Sequence, residues 1–309
     1  MSITDDFSPD FFVVGAPKAG TTAVFNWLKT HPDIFLPEVK EPGYFAYAGR
    51  SAVPPDGPYD PDYHARISTN IGDYAQLYAD ANGRLTGDVS PVYLVDKSVA
   101  ARIASVRPDA RIIVILRDPV ERAFSQYLHH VRDGLEPAAS FETALNDEPA
   151  RLSSGWSWGH GYATHGHYAA QIDQYLKAFA RDQILFLEFK QLNVDPAACW
   201  RRICAHLGIL ETPLKQNDRV NVTSALANVS NRPTVTRAIR HPGPLQSLFK
   251  PLLPQTMRKH IRNWLEGQGK PLPVLQANER ERLAAQFNCE LEHIAKQTGL
   301  CLNHWTRAL

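Results

Sequence analysis

The run Phe11-Phe12-Val13-Val14-Gly15-Ala16-Pro17-Lys18-Ala19-Gly20-Thr21-Thr22 follows an apolar stretch with a glycine, a lysine, a second glycine and two hydroxyls. These residue types suit one chemistry. A strand that turns into a helix aims backbone N–H groups and the positive end of the helix dipole at one spot. Lys18 adds a full charge there, and Thr21 and Thr22 add hydroxyl donors. The segment reads as a phosphate loop made of Ala16, Pro17, Lys18, Ala19, Gly20, Thr21 and Thr22. Its lysine precedes the second glycine, whereas the Gly-x4-Gly-Lys-Ser/Thr order of Mg-nucleotide loops places it after. The expected ligand carries phosphate but is not an ordinary Mg-ATP or Mg-GTP.

A second cluster is Arg117-Asp118-Pro119-Val120-Glu121-Arg122-Ala123-Phe124-Ser125-Gln126-Tyr127-Leu128-His129. Arg117 leaves the carboxyl end of an apolar run, where open α/β sheets bind ligands. Arg122, Ser125 and His129 fall on one side of the helix that follows. An arginine fork with a serine hydroxyl forms a second phosphate site. Two such sites on one sheet edge imply a ligand with phosphates at both ends.

Lys40-Glu41-Pro42-Gly43-Tyr44-Phe45 follows the first helix closely. A carboxylate there can take a proton from an acceptor hydroxyl, and a lysine can neutralise charge on a leaving phosphate. The dipeptide is equally a common surface pair. Gly87-Asp88-Val89-Ser90-Pro91-Val92-Tyr93 reads as a strand end and a turn. Its Tyr93 belongs either to a substrate wall or to the core. No His-Glu-x-x-His spacing and no Gly-x-Ser-x-Gly elbow occurs, so His129, His130, His160, His165 and His167 read as loop or helix histidines rather than metal ligands.

The elements that must position these groups alternate. Phe11 to Val14, Ile112 to Leu116 and Ile184 to Phe189 are short apolar runs of the buried parallel type. Helical patterns cover Thr22 to Lys29, Lys97 to Ser105, Val120 to Val131, Tyr168 to Phe179, Ala197 to Leu207 and Glu279 to Gln297. Asp118 and Pro119 mark the start of the third, and Gly208 and Gly299 mark the ends of the last two. The pattern predicts an α/β fold of the P-loop kind, three layers with a central parallel sheet flanked by helices. One domain spans 1–309. Tyr47 to Tyr63, Ser153 to His167 and Pro242 to Pro254 read as loops, of the length that shapes lids and substrate walls.

Composition is that of a globular chain: 44% hydrophobic, 21% charged, with a formal net charge of +1. That balance gives no case for nucleic acid. Arg219 to Leu265 nevertheless contains basic residues and no acid, which marks either a solvated face or a surface for anions or membranes. The first ten residues carry three aspartates and no apolar leader, and no run reaches the roughly 18 apolar residues of a spanning helix. Cys199, Cys204, Cys289 and Cys301 form no Cys-x-x-Cys pair. The expectation is a cytoplasmic protein with reduced thiols.

In these residues the chain resembles the sulfotransferases that use 3′-phosphoadenosine 5′-phosphosulfate. Pro17 to Thr22 is similar to their 5′-phosphosulfate loop, and Arg117 to His129 to their 3′-phosphate motif. Lys40-Glu41-Pro42 with Tyr44-Phe45 resembles the base-bearing segment of the heparan-sulfate type. The resemblance implies that Lys18 contacts the 5′-phosphate and bridging oxygen, with Thr21 and Thr22 on the same phosphate. It implies Arg117 and Ser125 on the 3′-phosphate, with Arg232 in a late cofactor loop. Glu41 would be the base for a hydroxyl or amine of a carbohydrate, lipid or small metabolite, with Lys18 and Lys40 as catalytic cations. Tyr44, Asp88, Tyr93 and His129 would contact that acceptor. No metal is implied.

The chain departs from the heparan pattern at Val89, Gly43, Ala46 and Gln126, where that type often has lysine, histidine, aspartate and tryptophan. Two other classes fit part of the sequence. A P-loop kinase or NTPase would place an aspartate after a strand, where Arg117 and Glu188 stand. A non-catalytic nucleotide-binding protein would keep the loop and not need Glu41.

Overall fold

β1 (Phe11–Gly15) is buried along its whole length and runs through the middle of a five-stranded sheet. The computed structural model describes residues 7–214, 228–229 and 270–305. Beside β1 lie β2 (Ile34–Phe35), β3 (Leu85–Val89), β4 (Arg111–Leu116) and β5 (Ile184–Glu188) in the order β2-β3-β1-β4-β5. Every pairing is parallel. The chain leaves β1 toward β2 and β3 on one side, then returns to β4 and β5 on the other. The crevice outside the carboxyl ends of β1 and β4 is therefore the switch point where open α/β sheets take ligands.

The expected strands β1, β4 and β5 are present. β2 and β3 are additions. β3 reads Leu-Thr-Gly-Asp-Val, and its polar residues are buried through hydrogen bonds rather than by apolar content. Gly87 is required there: a Cβ would stand 2.1 Å from the Phe11 ring on β1.

Helices cover both faces. α1 (Thr21–Lys29) starts at Gly20, whose φ of 91° is a left-handed cap. Short α2 (Tyr44–Tyr47), α3 (Pro61–His64) and α4 (Ile71–Gln76) lead to β3. α5 (Val92–Val95) and α6 (Val99–Val106) precede β4. α7 (Pro119–Asp133) begins as expected: the Asp118 carboxylate accepts from the Val120 and Glu121 amides at 2.9 and 3.1 Å, and Pro119 fits the first turn. α8 (Phe141–Ser153) follows, with Pro149 inside it. α9 (Tyr168–Ala178) packs against α6, and α10 (Phe189–Val194) and α11 (Pro196–Leu207) follow β5.

The expected single helix over Glu279 to Gln297 is two. α12 (Ala277–Phe287) and α13 (Leu291–Thr298) are separated by a tight turn at Asn288–Glu290. The break lets them serve two cores. Leu283, Ala284 and Phe287 join Val120, Tyr127, Phe141 and Tyr162, whereas Ile294 joins the main core of the sheet. Trp305 closes that core and donates to Glu188 at 3.0 Å. Among the described residues, no helix is long and apolar enough to cross a membrane.

Candidate functional site

The β1–α1 loop and the α7 start meet across the switch point and line one cavity of about 790 Å³. Pro17, Lys18, Gly20, Thr21 and Thr22 form one wall. Arg117, Ser125 and His129 form the next, and Lys40 and Glu41 line the same cavity. The sequence thus places its three main clusters in a single cleft.

The loop is tighter than its sequence suggests. The Ala16 amide donates to Ile115 O on β4 at 2.6 Å, and the Ala19 amide donates to Ala16 O at 3.2 Å. Both side chains are fully buried. Ala16 and Ala19 therefore build the turn and do not present their amides to a ligand, which corrects the expectation of a continuous run of donors. The start of α1 still lacks intrahelical acceptors for the Thr21 and Thr22 amides. A side chain at Gly20 would meet Leu192 at 3.0 Å and Phe189 at 3.1 Å, so backbone must stand at that point.

Lys18 and Glu41 share a backbone feature. Their φ values of 66° and 62° lie in the left-handed region, joined among the described non-glycine residues only by Asn82. Each costs on the order of 1–2 kcal/mol. Such costs concentrate where side chains are held for chemistry. Lys40 and Glu41 form an ion pair, each side chain about one-fifth exposed.

Burial first, with Arg132 and Arg117 beside it, brings the Lys18 ammonium down to about 8 against the opposing Asp133 and Glu41 carboxylates. Five cations line the cleft (Lys18, Lys40, Arg66, Arg117 and Arg132) against three carboxylates, Glu41, Asp60 and Asp133. That surplus favours an anionic ligand. Arg117 is fixed from three directions: Nη1 donates to Lys18 O at 3.0 Å, the guanidinium lies 4.6 Å from the Phe189 ring centre, and Glu121 is 3.7 Å away.

Other expected residues lie elsewhere. Arg122 is fully buried and donates to the Gly161 and Tyr162 carbonyls, so Arg117 is the arginine that α7's start offers the cleft. Asp88 and Tyr93 are fully buried and bonded to each other at 2.7 Å. They do not line the cavity, and contact with an acceptor is corrected to a place in the core behind it. Tyr44 stacks on Tyr74 at 4.6 Å and also stands off the cavity wall. Arg232 and the acid-free stretch 219–265 lie outside the described residues apart from 228–229.

Residues not foreseen complete the walls. Arg132 and Asp133 fall two turns beyond Ser125 on α7, a helical spacing that could have disclosed them. Tyr59 and Tyr63 come from the first expected loop and its end, and Trp158 and His160 from the second. Gly57 packs those loops together: a Cβ there would stand 2.4 Å from Trp156. Gln126 bonds His130 at 2.9 Å, and His130 bonds the Tyr162 hydroxyl at 2.8 Å, which fixes the cleft floor.

This arrangement defines an α/β protein with a cation-rich cleft at the sheet switch point. The profile of the Sulfotransferase family matches residues 9–213. The chain belongs to that family. It is 29% identical over 203 residues to mouse heparan sulfate glucosamine 3-O-sulfotransferase 3B1, covering 65% of this chain and 46% of the relative. It is 26% identical over 312 residues to human bifunctional heparan sulfate N-deacetylase/N-sulfotransferase 3, covering 98% of this chain and 32% of the relative. The chain thus spans less than half of these relatives. A sulfotransferase from Alicyclobacillus acidocaldarius superposes with a TM-score of 0.72 at 28% identity, over 97% of this chain and all of that one.

Proposed function

We propose that this protein transfers a sulfuryl group from 3′-phosphoadenosine 5′-phosphosulfate to a hydroxyl or amine of a carbohydrate, lipid or small-metabolite acceptor. The observation that carries the reading is the shared cleft of Lys18, Glu41 and Arg117. The donor set fits such a ligand: a buried ammonium and a helix start at one end, a clamped arginine and the nearly buried Ser125 at the other. When bound, the donor supplies the sulfuryl group and a leaving nucleotide.

Lys18, Thr21 and Thr22 hold the 5′ end, and Lys18 keeps positive charge where the leaving charge gathers. Arg117 and Ser125 hold the 3′-phosphate. Glu41 takes the acceptor's proton at a carboxylate oxygen, with the Lys40 charge beside it. His129, on the same wall, faces the acceptor side. Arg232 remains a proposed cofactor contact from the late segment. The reading includes a single domain, supported by α12 and Trp305 packing back onto α7 and the sheet. It includes a cytoplasmic location, in keeping with a cysteine pattern that has no Cys-x-x-Cys pair. It involves no protein-bound metal.

The test is transfer of labelled sulfate from the donor to a panel of hydroxyl and amine acceptors. Wild type transfers label and Glu41→Gln falls by 100-fold or more, on the order of general-base contributions. Transfer undiminished in Glu41→Gln removes the base assignment. Binding without transfer to any acceptor favours the non-catalytic reading.

A further inference from the structure

We propose that Asp88 is a positioning residue for Glu41, acting through two hydroxyls that hold the turn carrying that carboxylate. The inference rests on the reading of Glu41 as the base. Asp88 is the penultimate residue of β3, paired with Phe12 of β1, and is fully buried. Its Oδ1 accepts from Ser90 Oγ at 2.6 Å. Its Oδ2 accepts from the Tyr93 and Tyr74 hydroxyls at 2.7 and 2.8 Å.

Each of these hydroxyls has one proton and spare lone pairs. Asp88 takes the proton, which turns the lone pairs of Ser90 and Tyr93 outward. Ser90 Oγ then accepts the Gly43 amide at 3.2 Å, and the Tyr93 hydroxyl accepts the Phe45 amide at 3.3 Å. The third arm works by stacking: Tyr74 lies 4.6 Å from the Tyr44 ring, nearly parallel to it. All three arms end on residues 43–45, immediately after Glu41-Pro42.

The turn they hold needs holding. Glu41 and Gly43 both have left-handed φ values, 62° and 65°. A backbone kept in this region relies on its surroundings. Pro42 O accepts the Ser68 amide at 2.8 Å on the other side, so the turn is gripped between two supports. A carboxylate buried away from solvent is costly unless its bonds are made. Here burial pushes the Asp88 carboxyl up to about 6 while the three hydroxyl donors pull the other way. An apolar residue would fill this site more cheaply but would leave both hydroxyls free to rotate.

The test uses Ser90→Ala and Tyr93→Phe, each of which removes one arm, and Asp88→Asn, which disturbs all three. Displacement of a catalytic group by about 1 Å costs up to about 100-fold. The expected result is a kcat fall of about tenfold in each single-arm variant and about 100-fold in Asp88→Asn. Acceptor KM and affinity for adenosine 3′,5′-bisphosphate stay within about threefold of wild type. A purely structural role would lower thermal stability and leave kcat of the folded protein unchanged, and that result overturns the proposal. If Asp88→Asn does not fold, the two single-arm variants decide on the same criterion. Glu41→Gln is measured alongside. Loss of activity there with full kcat in Ser90→Ala and Tyr93→Phe overturns this inference alone. Retained activity in Glu41→Gln overturns the base assignment and this inference with it.

Discussion

Arg117 Nη1 donates a 3.0 Å hydrogen bond to the carbonyl oxygen of Lys18. The residue that follows β4 thereby props a residue of the β1–α1 loop. The β1–α1 loop and the segment leading into α7 are thus joined directly. The bond supports a residue whose φ of 66° is itself left-handed.

That link sets the expected result for Arg117→Ala. A hydrogen bond to a charged group contributes about 1.5–3 kcal/mol, so affinity for adenosine 3′,5′-bisphosphate falls about 10- to 150-fold. Affinity for adenosine 5′-phosphate, which lacks the 3′ group, falls only severalfold through the loosened loop. Calorimetric titration of both nucleotides reads the difference. Equal losses for the two would show that Arg117 does not hold the 3′ end.

Lys18 gives a pH dependence. Its folded value is lowered to about 8, so the free protein loses this proton well before an exposed lysine would. The charged form binds phosphate. Between about pH 6.5, above which the ligand's phosphates have lost their second proton, and about pH 7.5 the bisphosphate affinity is therefore nearly level, and it falls toward tenfold per unit as pH rises above about 8. Lys18→Met binds weakly and abolishes that slope. Affinity that stays level to about pH 10 would contradict it.

A stability prediction concerns the cleft floor. The Glu136 side chain is fully buried and accepts from Arg151 at 2.9 and 3.1 Å and from the Tyr162 hydroxyl at 2.5 Å. Arg151→Met leaves that carboxylate without its cation, at a cost of about 3–5 kcal/mol. Urea denaturation measures it. A loss below about 1 kcal/mol would mean that the hydroxyl and the Ala138 amide suffice.

A second stability prediction separates sheet from site. Gly87→Ala drives a methyl into the Phe11 ring, which has no room to retreat between fully buried strands. Overpacking of this kind costs about 1–3 kcal/mol. The melting temperature drops, while bisphosphate affinity at 25 °C or so stays unchanged. An unaltered melting temperature would show that β1 and β3 part more easily than their packing implies.

The sequence carries the strand-end and helix-start walls of the cleft more clearly than the walls built from loops, for physical reasons. Lys18, Thr21, Arg117 and Ser125 hold their places through backbone periodicity: strand end, helix start, helix face. Local sequence encodes that geometry directly. Tyr59 and Trp158 reach the cleft from loops, whose course is set by contacts such as Gly57 against Trp156 and not by any repeat. β1, β4 and β5 are continuous apolar runs and easy to see. β3 hides because Thr86 and Asp88 are buried by pairing, Thr86 with Asp10 at 2.8 Å and Asp88 with its hydroxyls. For the same reason the sequence leaves Tyr93 open between a substrate wall and the core and offers Asp88 as an acceptor contact, since a polar residue at a site and one in a buried network look identical. The α12–α13 break is invisible in an unbroken helical pattern, since only the presence of two cores requires it.

The most direct test of the two-ended cleft is thermal stabilisation by adenosine 3′,5′-bisphosphate set against Mg-ATP. At about 100 times its dissociation constant a ligand stabilises by roughly 2.7 kcal/mol. Stabilisation by the bisphosphate, unaffected by chelator and cut to about 0.3–1.4 kcal/mol in Arg117→Ala at the same ligand concentration, is the predicted result. Stabilisation by Mg-ATP with none from the bisphosphate would contradict the account.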